Sequence, residues 1–139
     1  MKKIVVFFIV LVVGVGLISC TSKNTALAGE ALPEWVTRAE EAWVEDGVIY
    51  ARGTARMSSV AISTSTAESR ARSSLSRALI DGELTAYPAI PTDVTTRTTF
   101  NYNSKSVVVG DITVKETFAA ADGNVHVLLS CTGAEMNGE

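Results

Sequence analysis

The sequence has one histidine and two cysteines in 139 residues, and that scarcity closes off whole classes of chemistry. His126 has no second imidazole beside it and no cysteine pair at ligand spacing, so no donor set for zinc is present. Without a serine or cysteine matched to that histidine and an acid, no nucleophilic triad can be read either. Phosphate-cradling glycine patterns, G-x-G-x-x-G or G-x-x-x-x-G-K, are absent throughout. No catalytic residue, cofactor or metal is therefore assigned. Positive charge is also short, with twelve basic against fifteen acidic side chains. Non-specific nucleic-acid binding needs clustered positive charge, which excludes nucleic acid as a partner. Nor does any apolar run reach the ~20 residues of a membrane-spanning helix.

What the sequence does have is an export signal. Lys2 and Lys3 are followed by the apolar run Ile4–Leu17 and then by Leu17-Ile18-Ser19-Cys20. A charged start, an apolar core of signal-peptide length and a small residue before the cysteine make a lipobox, the cleavage and lipidation signal of bacterial lipoproteins. Residues 1–19 are expected to be the signal peptide, with Cys20 the lipid attachment site. By resemblance to such lipoproteins, Cys20 becomes the new N-terminus, carrying a thioether-linked diacylglycerol and often a third acyl chain. One chain binds a bilayer marginally, whereas two or three hold firmly. The lipid excludes the simplest disulfide, Cys20 to Cys131, and leaves Cys131 as a lone thiol in the core. Losing Lys2 and Lys3 moves the charge from −3 to −5, so attachment rests on the lipid rather than on attraction to anionic headgroups. Residues 20–31 are small and polar and read as a lipidated flexible tether. Thr21 stands where aspartate hints at inner-membrane retention in some bacteria, which favours the outer membrane, with the domain in the periplasm or at the surface.

Residues 32–133 read as the folded domain and 134–139 as a disordered tail. Trp35, behind Pro33, is expected to pin the N-terminal arm to the core. Ala42–Arg56 reads as a hairpin turning at Asp46-Gly47. Along its second strand Ile49, Ala51, Gly53 and Ala55 make a small face suited to a closely packed helix, and Tyr50, Arg52, Thr54 and Arg56 make the other. Ser58–Asp81 carries a helix with Ala67, Ala71, Leu75, Ala78 and Leu79 on one stripe, extended back by Ile62. Ser65-x-x-Glu68 resembles a capping box, and Asp81-Gly82 marks the end. Two prolines make Leu84–Pro91 a connector. The alternation in Thr92–Asn103 suggests an edge strand. A second hairpin is expected from Val107–Ala120 and Asn124–Thr132, turning at Ala121-Asp122-Gly123. Its inward faces would be Val108, Ile112, Val114 and Phe118, then Val125, Val127, Leu129 and Cys131. The fold class is thus α+β, an antiparallel sheet of two β-hairpins in the order β-β-α-(β)-β-β, with one long helix on one face.

Several short pieces in this order resemble the LPP20-type bacterial lipoproteins. They are Pro33-Glu34-Trp35-Val36, Tyr50-Ala51-Arg52-Gly53-Thr54-Ala55, the spacing of Ala67, Ala71 and Leu75, and Asp122-Gly123-Asn124-Val125-His126-Val127-Leu128. His126 stands where an aromatic is common. The resemblance covers about Leu32 to Cys131 and not Tyr87–Lys105. It implies an outer-membrane or surface lipoprotein with a structural or assembly role, including flagellum-associated relatives that form rings, and carries over no catalytic residues. The expected partners are the membrane, through the lipid on Cys20, and other proteins or further copies of the chain. Two other readings compete. A ligand-binding module would use a face of Tyr50, Arg52 and Arg56, with Trp43, Phe100 and Tyr102 nearby. An enzyme would need Asp111, Glu116 and His126 in one cleft.

Overall fold

The computed structural model describes residues 31–137. The expected signal peptide, Cys20 and nearly all of the expected tether lie outside the described residues. The order of elements is a one-turn helix α1 (Glu34–Thr37), β1 (Ala42–Glu45), β2 (Val48–Ala55), the long helix α2 (Val60–Ile80), β3 (Arg97–Tyr102), β4 (Lys105–Gly110), β5 (Thr113–Ala119), β6 (Val125–Cys131) and β7 (Gly133–Met136).

The first hairpin follows from its turn. Asp46 and Gly47 take φ of 51° and 73°, the paired left-handed geometry that matches the twist of a two-residue hairpin. This sets Val44 opposite Ile49 and Trp43 opposite Tyr50. Along β2 burial alternates residue by residue, with Ile49, Ala51, Gly53 and Ala55 inside. Against them lies the stripe of α2 made by Ala67, Ala71, Leu75, Ala78 and Leu79, all buried. With no side chain on Gly53 and only methyls on the facing helix, strand and helix backbones come close together.

The helix start corrects two expectations. Ser59 is the N-cap, its Oγ accepting from Ile62 N–H at 3.2 Å. Ser65 and Glu68 sit well inside the helix and form no capping box; Glu68 pairs with Arg72 one turn on, at 3.0 Å. Ile62 is 49% exposed. At 100° per residue it falls away from the stripe of Ala67 and Ala71, which continues instead through Ser63. Ser63 is buried because its hydroxyl is fully used, donating to Ser59 O and accepting from Met57 N–H, both at 2.8 Å.

The single sheet of two hairpins is corrected to two antiparallel sheets, ordered β1-β2-β6-β5 (sheet A) and β3-β4-β7 (sheet B). The segment expected as one strand, Val107–Ala120, is two. β4 ends at Gly110, Asp111 takes a left-handed φ of 34°, and β5 begins at Thr113 in the other sheet. Asp111 fixes the switch: its carboxylate accepts the N–H groups of Thr95 and Thr96 at 2.8–3.1 Å and the Thr96 hydroxyl at 3.0 Å. Those amide donors hold its pKa below the ordinary carboxylate value. The break also corrects the inward face. Val107 and Val109 are buried, not Val108, and Val114 is 43% exposed. A bulge between Val114 and Glu116 shifts the phase again.

β6 runs as expected, with Val125, Val127, Leu129 and Cys131 inside. Burial pushes the Cys131 thiol up to about 12. The chain then crosses sheets at Thr132, where β4 and β5 switch on the neighbouring strand, and forms β7. This corrects the domain boundary: Gly133 and Ala134 are buried and Gly133–Met136 pairs with β4, so the ordered domain does not stop at 133. Gly133 is required there, because a Cβ would lie 2.4 Å from Ala89 O on the connector. The main core, Ile49, Leu75, Leu79, Val107, Val109 and Cys131, sits where both sheets meet the C-terminal half of α2.

Candidate functional site

The face of sheet A that points away from α2 gathers four rings and one arginine. β1 contributes Trp43, β2 contributes Tyr50, Arg52 and Thr54, β5 contributes Phe118, and β6 contributes His126. Their common side follows from register, since Trp43 opposes Tyr50, Thr54 opposes His126 and Phe118 opposes His126. The arm from Pro33 to Glu41 lies over this face.

Arg52 holds the arm down. Its guanidinium donates to Val36 O, to Arg38 O at 2.5 Å and, through Nε, to Glu40 O at 3.2 Å. Arg52 N–H adds a bond to Glu41 O at 2.8 Å. A planar fork with its charge in place suits several carbonyls presented by one turn of chain. Arg38, fixed from below by Arg52, sets its own guanidinium over the Trp43 ring at 4.6 Å and reaches Glu45 at 3.5 Å. Trp43 is buried beneath it and stacks on Tyr50, with centroids 5.8 Å apart. Trp35 and His126 pack nearly perpendicular, with ring centroids 6.5 Å apart. Two indole N–H groups, of Trp35 and Trp43, are buried here with no acceptor among the described residues.

His126 lies between Trp35 and Phe118, and its Nδ1 shares a 2.8 Å hydrogen bond with Thr54 Oγ1. Burial lowers its pKa from the ordinary 6.5; the Asp122 carboxylate opposes this and Arg52 adds to it. The native state therefore prefers the neutral ring, and the contribution of His126 to stability is complete above 6.5 and is lost as pH falls toward its lower native value. Melting temperatures measured between pH 7 and 5 are expected to decline, and His126→Tyr to flatten that decline. Asp111 and Asp122, both held below 3.8, act only at lower pH. An equal decline in the variant would show that other groups set the slope.

The residues expected to form a ligand face do not share a pocket. Tyr50 is stacked on Trp43, Arg52 is spent on the arm, and Arg56 lies beyond β2 against Gly123 of the β5–β6 turn. Phe100 and Tyr102 belong to sheet B. A groove of about 290 Å³ beside the second half of β2 is lined by Glu41, Arg52, Gly53, Thr54, Arg70 and Ser74. Its polar groups satisfy one another: Arg70 donates to Thr54 O at 2.7 Å, Ser74 to Glu41 at 3.1 Å, and Arg77 pairs with Glu41. Asp111, Glu116 and His126 are not gathered either, since Asp111 is committed to the sheet switch and His126 to Thr54. Among the described residues no group of three His, Cys, Asp or Glu could hold a metal ion, and no helix is long and apolar enough to cross a membrane. Sequence reasoning missed the clamp by Arg52, because its partners are backbone carbonyls that carry no side-chain signature.

No protein-family model, curated protein or solved structure matches this chain.

Proposed function

We propose that the protein is a lipid-anchored envelope lipoprotein with a structural or assembly role and no catalysis. The carrying observation is the N-terminal pattern, Lys2-Lys3, the apolar run Ile4–Leu17 and Leu17-Ile18-Ser19-Cys20. Cys20 is the attachment point, the outer membrane the destination, and the domain acts in the periplasm or at the surface through protein partners or further copies. The short motifs shared with LPP20-type lipoproteins support the same role, extending to flagellum-associated assemblies. The geometry of the outward face adds support, because its charged and aromatic groups are used to seat the chain's own arm. That same use weighs against the alternative of a ligand-binding module built on Tyr50, Arg52 and Arg56.

The test compares the native protein with Cys20→Ala by envelope fractionation and labelling with a fatty-acid analogue. The native chain is expected to be labelled, shortened and membrane-bound. The variant is expected to be unlabelled and to accumulate at precursor length. A Cys20→Ala chain that is processed, membrane-bound and found in the same crosslinked complexes would rule out the lipid anchor.

A further inference from the structure

Among the described residues the two sheets leave four edge strands, β1 and β5 in sheet A and β3 and β7 in sheet B. An open edge is a template for another strand, and proteins block edges they do not use. Three of these are blocked. β1 has only four residues. β7 is as short, and Ala134 N–H donates to Pro88 O of the connector at 3.0 Å. β5 is interrupted by its bulge and exposes Lys115 and Glu116 there. β3 carries none of these devices: its six residues, RTTFNY, pair without interruption on one side, and the only charge is on the first.

The turn between β3 and β4 shows which groups face outward. Asn103 and Ser104 have φ of 48° and 63°, a two-residue hairpin turn whose flanking pair, Tyr102 and Lys105, is hydrogen-bonded. Alternate pairs follow suit, and the bond from Asp111 N–H to Thr96 O at 3.0 Å keeps the same phase. Thr98, Phe100 and Tyr102 thus bond to β4, while Arg97, Thr99 and Asn101 turn N–H and C=O outward, with exposed side chains.

We propose that β3 pairs antiparallel with β3 of a second copy, about a two-fold axis through Thr99. Two-fold symmetry in a continuous sheet requires opposed residues to share a face, which leaves registers centred on a residue. Centring on Thr99 sets Arg97 against the copy's Asn101 and Thr99 against the copy's Thr99, and uses every outward backbone group from Arg97 to Asn101. Centring on Phe100 would strand those of Arg97. No like charges meet, and on the inner face Thr98 covers the half-buried Phe100 of the copy. The strand is therefore complementary to itself, which singles out a second copy as the occupant. This names the partner in the assembly role proposed above and rests on that reading.

The test uses the full-length protein in its own membranes. Under mild oxidation Thr99→Cys is expected to give a species of twice the mass. Opposed residues of a hydrogen-bonded pair have Cα atoms ~5.5 Å apart, within disulfide reach. Wild type and Lys115→Cys, on the blocked β5 edge, are expected to give none. Thr99→Lys, exposed in the protomer, places two ammonium groups at the axis and is expected to weaken dimer association about tenfold, with the melting temperature of the dilute, dissociated protomer unchanged. A Thr99→Cys product of another mass, or none above Lys115→Cys, overturns the proposal. An amine-reactive crosslinker separates the two ways of failing. Wild-type complexes that persist in Thr99→Lys leave the assembly role standing and remove the β3 interface. A wild type with no complexes removes the assembly role, and the interface with it.

Discussion

Gly53→Ala is expected to destabilise the domain by about 3 kcal/mol, the upper part of the range for overpacked interiors. A Cβ at this position would lie 2.0 Å from Ala67 O and 2.4 Å from Ala71 N. Both are backbone atoms, so no rotamer change relieves the clash. The whole of α2 must move off β2, which opens contacts along the stripe as far as Leu75 and Ala78. For a domain of this size the loss corresponds to a melting temperature lower by roughly 10–20 °C. Gly82→Ala is the control. Gly82 has φ of 78° and nothing within 4 Å of a built Cβ, so alanine there meets only the backbone penalty, about 1 kcal/mol. Thermal melts giving the two variants equal losses would show that the strand and helix are not in direct backbone contact.

The second large effect is expected at Arg52. Arg52→Ala removes the donors to Val36, Arg38 and Glu40 together and leaves those carbonyls without their partner on a partly buried face. At ~1.5–3 kcal/mol per bond to a charged group, and with the bonds sharing one side chain, the net loss is expected to be about 3 kcal/mol. The variant should fail locally first. Hydrogen exchange in residues 33–41 is expected to rise, and tryptophan fluorescence to shift red as Arg38 lifts from Trp43 and Trp35 leaves His126. Arg52→Lys is expected to behave like alanine, because one ammonium on a flexible stem cannot span three carbonyls. Restoration by lysine would mean that charge alone seats the arm.

The sequence showed the parts of this fold that repeat a period. The β1–β2 hairpin was legible because a strong turn, Asp46-Gly47, sits beside a strand that alternates without a break. The α2 stripe was legible from its alanines and leucines, though Ile62 misled: hydrophobicity drew it into a stripe from which its angle excludes it. The inward face of β6 was read correctly, down to Cys131. The sheet switch was hidden because Val107, Val108 and Val109 are chemically alike, so parity could not be read. The residue that breaks the strand, Asp111, works through amides of Thr95 and Thr96 distant in sequence. β7 escaped notice because it is short and half exposed, and its burial depends on β4 and the Pro88–Ile90 connector. In the candidate site, the residue types were visible and their use was not. Arg52 and Tyr50 read as a face open to a ligand because the arm that covers them has no periodic pattern.

The order of strands in sheet A bears on how the molecule comes to be folded. β1, β2 and α2 are neighbours in sequence and can associate as a local unit. The other side of β2, however, is filled by β6, with Ile49 opposite Cys131 and Ala55 opposite Val125. Contacts of such wide separation form slowly, since loop closure precedes any gain from pairing. Until the last third of the chain arrives, β2 therefore holds half its pairing capacity vacant and the apolar stripe of α2 lacks its second wall. A chain made or moved from its N-terminus first spends that interval as an incomplete half-molecule, open to capture by other strands or by a chaperone.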